Sequence, residues 1–327
     1  MALDVKIIIN SVKPVGNIGF GCPLILEENA TKAIEYTEVS SLSELVTAGY
    51  AATTDVYKAA QLMFMQNHAP KKIAVCSTTD TAAKWVIEEK NASKGWRQLV
   101  VVNADATSVA GTMTAIEAQT KYPKFYYANV EFESEKLSVT GIERTLICYF
   151  DATDDIPCPV AALAGEVAGL EVGSYTLNNM VVKGIEGLEL SDAEIEAVHE
   201  KGGVTFVVAA GDVVCSEGTT AGGLYVDNVD GDDYIKQQLE YKTQKVFNNN
   251  LKVPYNNVGI AMLESAAIEV MKDAQNKGIV DTYTTRYDLR EDTSESDRMA
   301  RRYVGGNISY TRAGAIHTIE VNCAVSD

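Results

Sequence analysis

The sequence is short of positive charge. Lys and Arg together number 28 against 45 Asp and Glu, a formal charge of −17 over 327 residues. A protein that tracks nucleic-acid phosphates needs a basic stripe to release counterions, and docking on an anionic membrane needs basic residues too. The charge balance argues against both partners. An acidic surface of this kind first of all keeps a protein soluble. Proline is scarce, at seven residues, while hydrophobic residues make up 46% of the chain, a composition that excludes a disordered protein. No apolar stretch reaches the roughly 18 residues that span a bilayer. The opening MALDVKIIIN has neither the basic start nor the apolar run of a signal peptide. The expectation is a soluble chain that stays in the compartment where it is made.

The usual carriers of chemistry are missing as well. Cys22, Cys76, Cys148, Cys158, Cys215 and Cys323 are scattered through apolar runs, and none belongs to a C-x-x-C pair. Structural zinc and thioredoxin-like redox work therefore have no framework; the cysteines read as small buried hydrophobes in a reducing cytoplasm. His68, His199 and His317 have no second His or Cys at ligand spacing, so each is expected at the surface or in a satisfied core position. Gly16, Gly19 and Gly21 are not in dinucleotide-fingerprint spacing, and neither a phosphate loop nor a nucleophile elbow is present. Asp227, Asp230, Asp232 and Asp233 have a spacing somewhat like a calcium loop, without the Glu at the twelfth position. They are expected to form an acidic turn at a helix N-terminus before Tyr234, where the helix dipole favours negative charge. No catalytic, cofactor-binding or metal-binding residue is assigned.

What is present is a pattern of elements. Residues 1–30 read as an N-terminal arm and edge strand, with Val5, Ile7 and Ile9 on one face. From 31 to 225, strands with no polar face (KKIAVCS, RQLVVVNAD, KFYYANV, RTLICYF) alternate with helices. These include DVYKAAQLMFMQN, TAAKWVIEEKNA and the small-residue helix PVAALAGEVAGL. Ser41–Glu44 and Ser191–Glu194 have the spacing of capping boxes. Such alternation predicts an α/β domain, a largely parallel sheet covered by helices on both sides. From 226 to 315 two longer helices precede two β segments, a separate α+β module. In the second helix Leu263, Ala267, Val270 and Ala274 share a face. Residues 316–327 form a C-terminal strand arm: beyond Ile316, Ile319, Val321, Cys323 and Val325 alternate with polar residues. Such a strand pairs within its own subunit or adds to the sheet of another.

The last third, GDDYIKQQLEYKTQKVF, then NVGIAMLESAAIEVMKDAQNKG, then RMARRYVGGNISYTRAGAIHTIEVNCAV, resembles the C-terminal region of the contractile phage-tail sheath family of phages and phage-derived bacteriocins. The match covers about residues 200–327 and is strongest at AGAIHTIEV, residues 313–321. The resemblance implies a middle domain of subtilisin-like fold, here without the nucleophile and base of a protease. It implies a structural subunit, not an enzyme, that polymerises as hexameric rings in a helical array around a tail tube. Its other partners would be baseplate and tail-terminator proteins, and the particle tail its destination. Terminal arms would exchange between subunits as added strands, with Val5, Ile7, Ile9, Ile316, Ile319, Val321, Cys323 and Val325 as the buried set. Arg298, Arg301 and Arg302, in helical spacing, are candidates for pairing with Asp288, Glu291 and Asp292 of a neighbour; a solvated face with weak surface pairs is the other reading. Two further functions stay open: an α/β enzyme without a recognisable motif, and a non-contractile self-assembling shell protein.

Overall fold

Short apolar runs with no polar face can only be buried on both sides, and the chain places them accordingly. The computed structural model describes residues 19–138 and 141–319. In chain order the elements are β1 (Leu24–Glu27), β2 (Ile34–Val39), α1 (Leu42–Thr47), α2 (Asp55–Phe64), β3 (Ile73–Ser77), α3 (Ala82–Ile87), α4 (Glu89–Ala92), β4 (Gln98–Val102), α5 (Ala106–Glu117), β5 (Phe125–Val130) and β6 (Thr145–Tyr149). There follow α6 (Val160–Gly169), α7 (Asp192–Glu200), β7 (Phe206–Ala209), β8 (Asp212–Cys215), α8 (Val226–Asn249), α9 (Asn257–Asn276), β9 (Val280–Tyr287), α10 (Glu295–Met299) and β10 (Gly306–Arg312).

Six strands form one sheet in the order β2-β3-β1-β4-β5-β6, parallel except for the antiparallel β2. Successive residues of these strands face opposite layers. Ile25, Val75, Val100, Tyr127 and Cys148 meet α1, α2 and α6 on one side. Leu24, Leu26, Cys76, Val101, Tyr126 and Ile147 meet α3 and α5 on the other. Helix α6 is buried from Val160 to Ala168. It crosses α2 so closely that a β-carbon on Gly165 would lie 2.6 Å from Met63 Cα, and one on Gly169 would lie 1.5 Å from the His68 carbonyl oxygen. Small residues in α6 are what allow that approach.

Four details differ from the sequence reading. β1 follows the glycine-rich stretch and sits inside the sheet between β3 and β4, because its residues Leu24, Ile25 and Leu26 are all fully buried; the sheet therefore begins before residue 31. TAAKWVIEEKNA is two helices: the backbone is extended at Glu88, and the Asn91 side chain donates to the Trp85 carbonyl at 3.0 Å. The Glu44 carboxylate accepts from the Ser40 N–H and not from Ser41, so only half of the first capping box forms. At the second, the Ser191 N–H donates to Glu194 at 2.8 Å and the box is complete. Finally, Ala210 and Gly211, with φ of +51° and +93°, make a two-residue hairpin turn between β7 and β8 that the sequence did not announce.

The C-terminal module has its own core, in which Ile235 and Leu239 of α8, Ala267, Val270, Met271 and Ala274 of α9, and Val280 and Ile308 of the β9–β10 pair are buried together. Helix α8 joins the two bodies, since its first-turn residues Val226 and Val229 belong to the middle core. Among the described residues no helix is long and apolar enough to cross a membrane.

Candidate functional site

β9 and β10 pair antiparallel, from Gly306 opposite Tyr287 to Arg312 opposite Val280, with a bulge between Thr311 and Arg312. The alternation of the strands decides their faces. Val280 and Ile308 are buried against α8 and α9, with Tyr283, Tyr287 and Tyr310 packed beside them. The opposite face carries Thr282, Thr284, Arg286, Asn307, Ser309 and Thr311, all exposed. Among the described residues no third strand pairs with either β9 or β10. Among the described residues neither edge of the ribbon is paired with another strand, and an edge in that state can take one. The six-stranded sheet offers less. Its β6 edge is occupied by Val204, which bonds to Ile147 and Tyr149 at 2.8 Å each, and its β2 edge presents Glu35 and Glu38, the latter paired with Lys72 at 2.6 Å.

A buried ion network fastens the ribbon's module to the sheet. Arg97, fully buried just before β4, donates through Nε to Asp230 Oδ1 at 3.0 Å and through Nη1 to the Pro123 carbonyl at 3.0 Å. Its Nη1 is also 2.8 Å from Asp233 Oδ2. Arg144, just before β6, grips Asp233 with both guanidinium nitrogens, at 2.5 and 2.8 Å. Tyr175 donates to Asp230 at 2.7 Å. Burial pushes the Asp233 carboxyl up, but the Arg97 and Arg144 charges outweigh it and hold it below the usual carboxylate range. Asp232, on the other side of α8, takes Tyr310 at 2.6 Å and Arg312 at 2.5 Å, which ties β10 down. The acidic residues are therefore not a turn ahead of a helix. They lie within the first two turns of α8, which starts at Val226, and three of the four serve as anchors. Among the described residues no group of three or more His, Cys, Asp or Glu is placed to hold a metal ion.

The other candidates fall as follows. His68 Nδ1 is 2.5 Å from Glu166, a buried residue of α6 that also accepts the His68 N–H at 2.9 Å. His199 Nε2 is 3.0 Å from Ser216 Oγ, and His317 Nε2 is 2.9 Å from Thr176 Oγ1. Cys22, Cys76, Cys148, Cys158 and Cys215 are free and buried; Cys323 lies outside the described residues. So do Val5, Ile7, Ile9, Val321 and Val325. Ile316 and Ile319 are described, follow β10 without regular structure, and are 91% and 80% exposed.

The arginine cluster does not share a helical face, because α10 ends at Met299. Arg301 sits beyond its C-cap with φ of +53°, a left-handed stop that turns the chain. Arg302 pairs with Asp297 of its own chain at 2.6 Å, and Arg298 donates to the carbonyls of Arg290 and Thr293. Arg301 is exposed. Asp288 is 3.6 Å from Arg286, Glu291 accepts from Asn257 at 3.3 Å, and Asp292 is exposed. None of the three acids pairs with the cluster inside this chain.

Arg97 and Arg144 were missed as site residues. Their signal was available: each is an arginine at the mouth of a fully apolar strand, in GWRQLVVV and IERTLICY, where a charge must find a buried partner.

No protein-family model matches the sequence, and no curated protein resembles it at the sequence level. The fold does have relatives. It superposes on a chain of the contracted helical sheath of the anti-feeding prophage with a TM-score of 0.73 and 11% identity, covering 98% of both chains. It superposes equally, at 0.73 and 11%, on the contracted sheath complex of an extracellular contractile injection system, PVC, covering 98% of this chain and 97% of that one. A sheath tail protein from Desulfitobacterium hafniense gives 0.58 at 10% identity, over 87% of this chain and 94% of its own.

Proposed function

We propose that this chain, which has the fold of contractile injection system sheath proteins, is itself a sheath subunit. It would polymerise around a tail tube as stacked hexameric rings, contract to drive the tube through a cell envelope, and be held together by exchanged terminal strands. The parallel-sheet body is taken as the counterpart of the family's subtilisin-like domain, in a structural and non-catalytic role. The observation that carries the reading is the β9–β10 ribbon, which among the described residues has no strand at either edge, on a fold shared along almost the full length with assembled sheaths. A two-stranded ribbon is marginal by itself; strands from neighbouring copies would complete it, main-chain hydrogen bonds giving adhesion and alternate side chains giving register. The residues assigned to that exchange are Val5, Ile7 and Ile9 at one end and Ile316, Ile319, Val321, Cys323 and Val325 at the other.

Electron microscopy of the concentrated protein with and without a purified tail tube tests this. Helical cover on the tube is expected. Small closed assemblies indifferent to the tube would favour an enzyme, and tube-independent sheets or shells a non-contractile lattice. Removal of residues 316–327 is expected to leave a folded, soluble protein that no longer builds the array. If that truncated chain still covers the tube, strand exchange by the C-terminal arm is wrong.

A further inference from the structure

Residues 313–319 leave the end of β10 with their burial inverted. Ile316 and Ile319 face outward, 91% and 80% exposed, while the polar His317 between them has a side chain only 15% exposed. Apolar side chains ordinarily take the inner position. Backbone bonding does not explain the arrangement: the Ala313 N–H donates to the Ile279 carbonyl at 3.1 Å, and among the described residues no backbone hydrogen bond follows it. The segment is held by the His317 ring. Its Nε2 shares a hydrogen bond with Thr176 Oγ1 at 2.9 Å, and it stands edge-on to the Tyr225 ring with centroids 4.9 Å apart at 88°. Its Nδ1 is 3.3 Å from Glu217 Oε1, off the line of a hydrogen bond; that carboxylate oxygen also accepts the Gly218 N–H at 2.7 Å. The span between the two fixings, Gly314 and Ala315, forms one wall of a cavity of about 270 Å³ that Tyr175, Thr176, Asp227 and Arg312 also line. Gly314 has φ of +66° with open space where a β-carbon would stand, a backbone state that glycine adopts at no steric cost.

We infer that His317 is an exit clip: a positioning residue that fixes where, and in which direction, the C-terminal segment leaves its own subunit, so that Ile316 and Ile319 are presented to a second copy of this chain. The inference rests on the strand-exchange reading. An arm free from Arg312 onward would sweep a large volume. Pinning it five residues further along, beyond the Gly314 pivot, raises its effective concentration at a neighbour's open edge and removes part of the ordering cost of docking. The contacts are made with Thr176, Glu217 and Tyr225, outside the ribbon's own core, so the clip refers the arm to the middle body and not to the strand it follows.

The test compares His317→Ala, His317→Gln and Thr176→Val with the chain lacking residues 316–327. In the unassembled protein, His317→Ala should leave thermal unfolding unchanged and speed cleavage within 313–319 by a non-specific protease by roughly five- to tenfold, the worth of one net hydrogen bond. It should also raise the concentration needed for assembly by a similar factor. His317→Gln, which keeps a polar atom within reach of Thr176, should recover much of both; a merely space-filling role would give no such rescue. Thr176→Val should loosen the same segment, and adding it to His317→Ala should cost nothing more. Unchanged cleavage in His317→Ala overturns the clip. So does assembly of that variant at the ordinary concentration while the truncated chain fails. If the truncated chain itself assembles normally, the strand-exchange reading falls, and the clip's role in assembly falls with it.

Discussion

The six-stranded sheet and the β9–β10 ribbon meet the edge problem in opposite ways. The six-stranded sheet closes itself: one edge is bridged by Val204, the other is a charged antiparallel strand, and both faces are covered by helices. The β9–β10 ribbon does neither. It has one covered face, one polar face and, among the described residues, no strand paired at either edge. A protein selected only for its own stability would blunt those edges. Under the proposed strand exchange, leaving them open beside a self-sufficient body would separate two tasks: the sheet would hold the fold, and the ribbon would be kept for a neighbouring copy. Arg97 and α8 join the two through buried ion pairs.

The most damaging way to disturb this arrangement is to remove the joint. Arg97→Met leaves Asp230 and Asp233 buried without their shared cation, a loss of about 3–5 kcal/mol, read as a shift in the urea midpoint. A loss below about 1 kcal/mol would mean that the two bodies do not depend on this contact.

The two cores should then differ in what they tolerate. Leu26, fully buried in the centre of the large sheet, should cost about 3 kcal/mol as Leu26→Ala. Ile308 is 8% exposed on a ribbon with a single covered face; Ile308→Ala should cost about half as much in the unassembled chain, where the neighbouring packing relaxes more readily. Equal losses in parallel denaturation curves would show the ribbon to be as rigid as the sheet.

The division of labour was only partly legible in the sequence. Strands such as IAVCS and TLICY announce a parallel sheet because nothing but double-sided burial suits them. Likewise Leu263, Ala267, Val270 and Ala274 announce the buried face of α9. Illegible were the interactions that join distant segments. Asp230 and Asp233 meet Arg97 and Arg144 across more than eighty residues, and no local pattern encodes that meeting. Asp227, Asp230, Asp232 and Asp233 looked like one cluster because they are close in sequence. On a helix Asp230 and Asp233, three apart, share a face toward Arg97, whereas Asp232 points away to Tyr310 and Arg312. The arginines at 298, 301 and 302 erred in the same way: their spacing fits a helix that stops before the second of them.

Acid and alkali sharpen the contrast from the sheet's side. Lys124, fully buried at the start of the sheet, donates to the Lys94 carbonyl at 2.9 Å and to that of Trp96, with no carboxylate beside it. Burial, with the nearby Arg97 charge, lowers its amine to about 7 from an unfolded value of 10.5. Between those two values the unfolded chain binds the extra proton, so the stability of the folded state rises as pH climbs from about 7 towards 10. Below about 7 both states are charged and the burial penalty stands in full. Lys124→Met removes this slope. Relative to the wild type, the variant should be at its best at or below pH 7 and lose ground steadily up to pH 10, in melting curves recorded across that range. A constant difference would show that the amine stays charged in the folded protein.

The smallest effect on stability belongs to the ribbon's surroundings, where the largest effect on assembly is expected. Arg302 already serves Asp297, so Arg302→Glu breaks an exposed pair worth about 0.2–1 kcal/mol. Arg301 is the cleaner probe. It is exposed, and among the described residues no acidic group pairs with it; only its left-handed backbone is demanding. Arg301→Glu should therefore melt with the wild type. Arg301→Gly should melt slightly higher, because glycine takes the conformation without strain. If the surface is a docking face for the acidic body of a neighbour, Arg301→Glu should nevertheless block polymerisation, measured by sedimentation, while Arg301→Gly only weakens it through the lost charge. Normal polymerisation of Arg301→Glu would return this arginine to a solvated loop and leave the open edges as the ribbon's whole contribution to assembly. A lowered melting point would instead place Arg301 among the residues that hold the module together, erasing at this position the distinction between the part that folds and the part that joins.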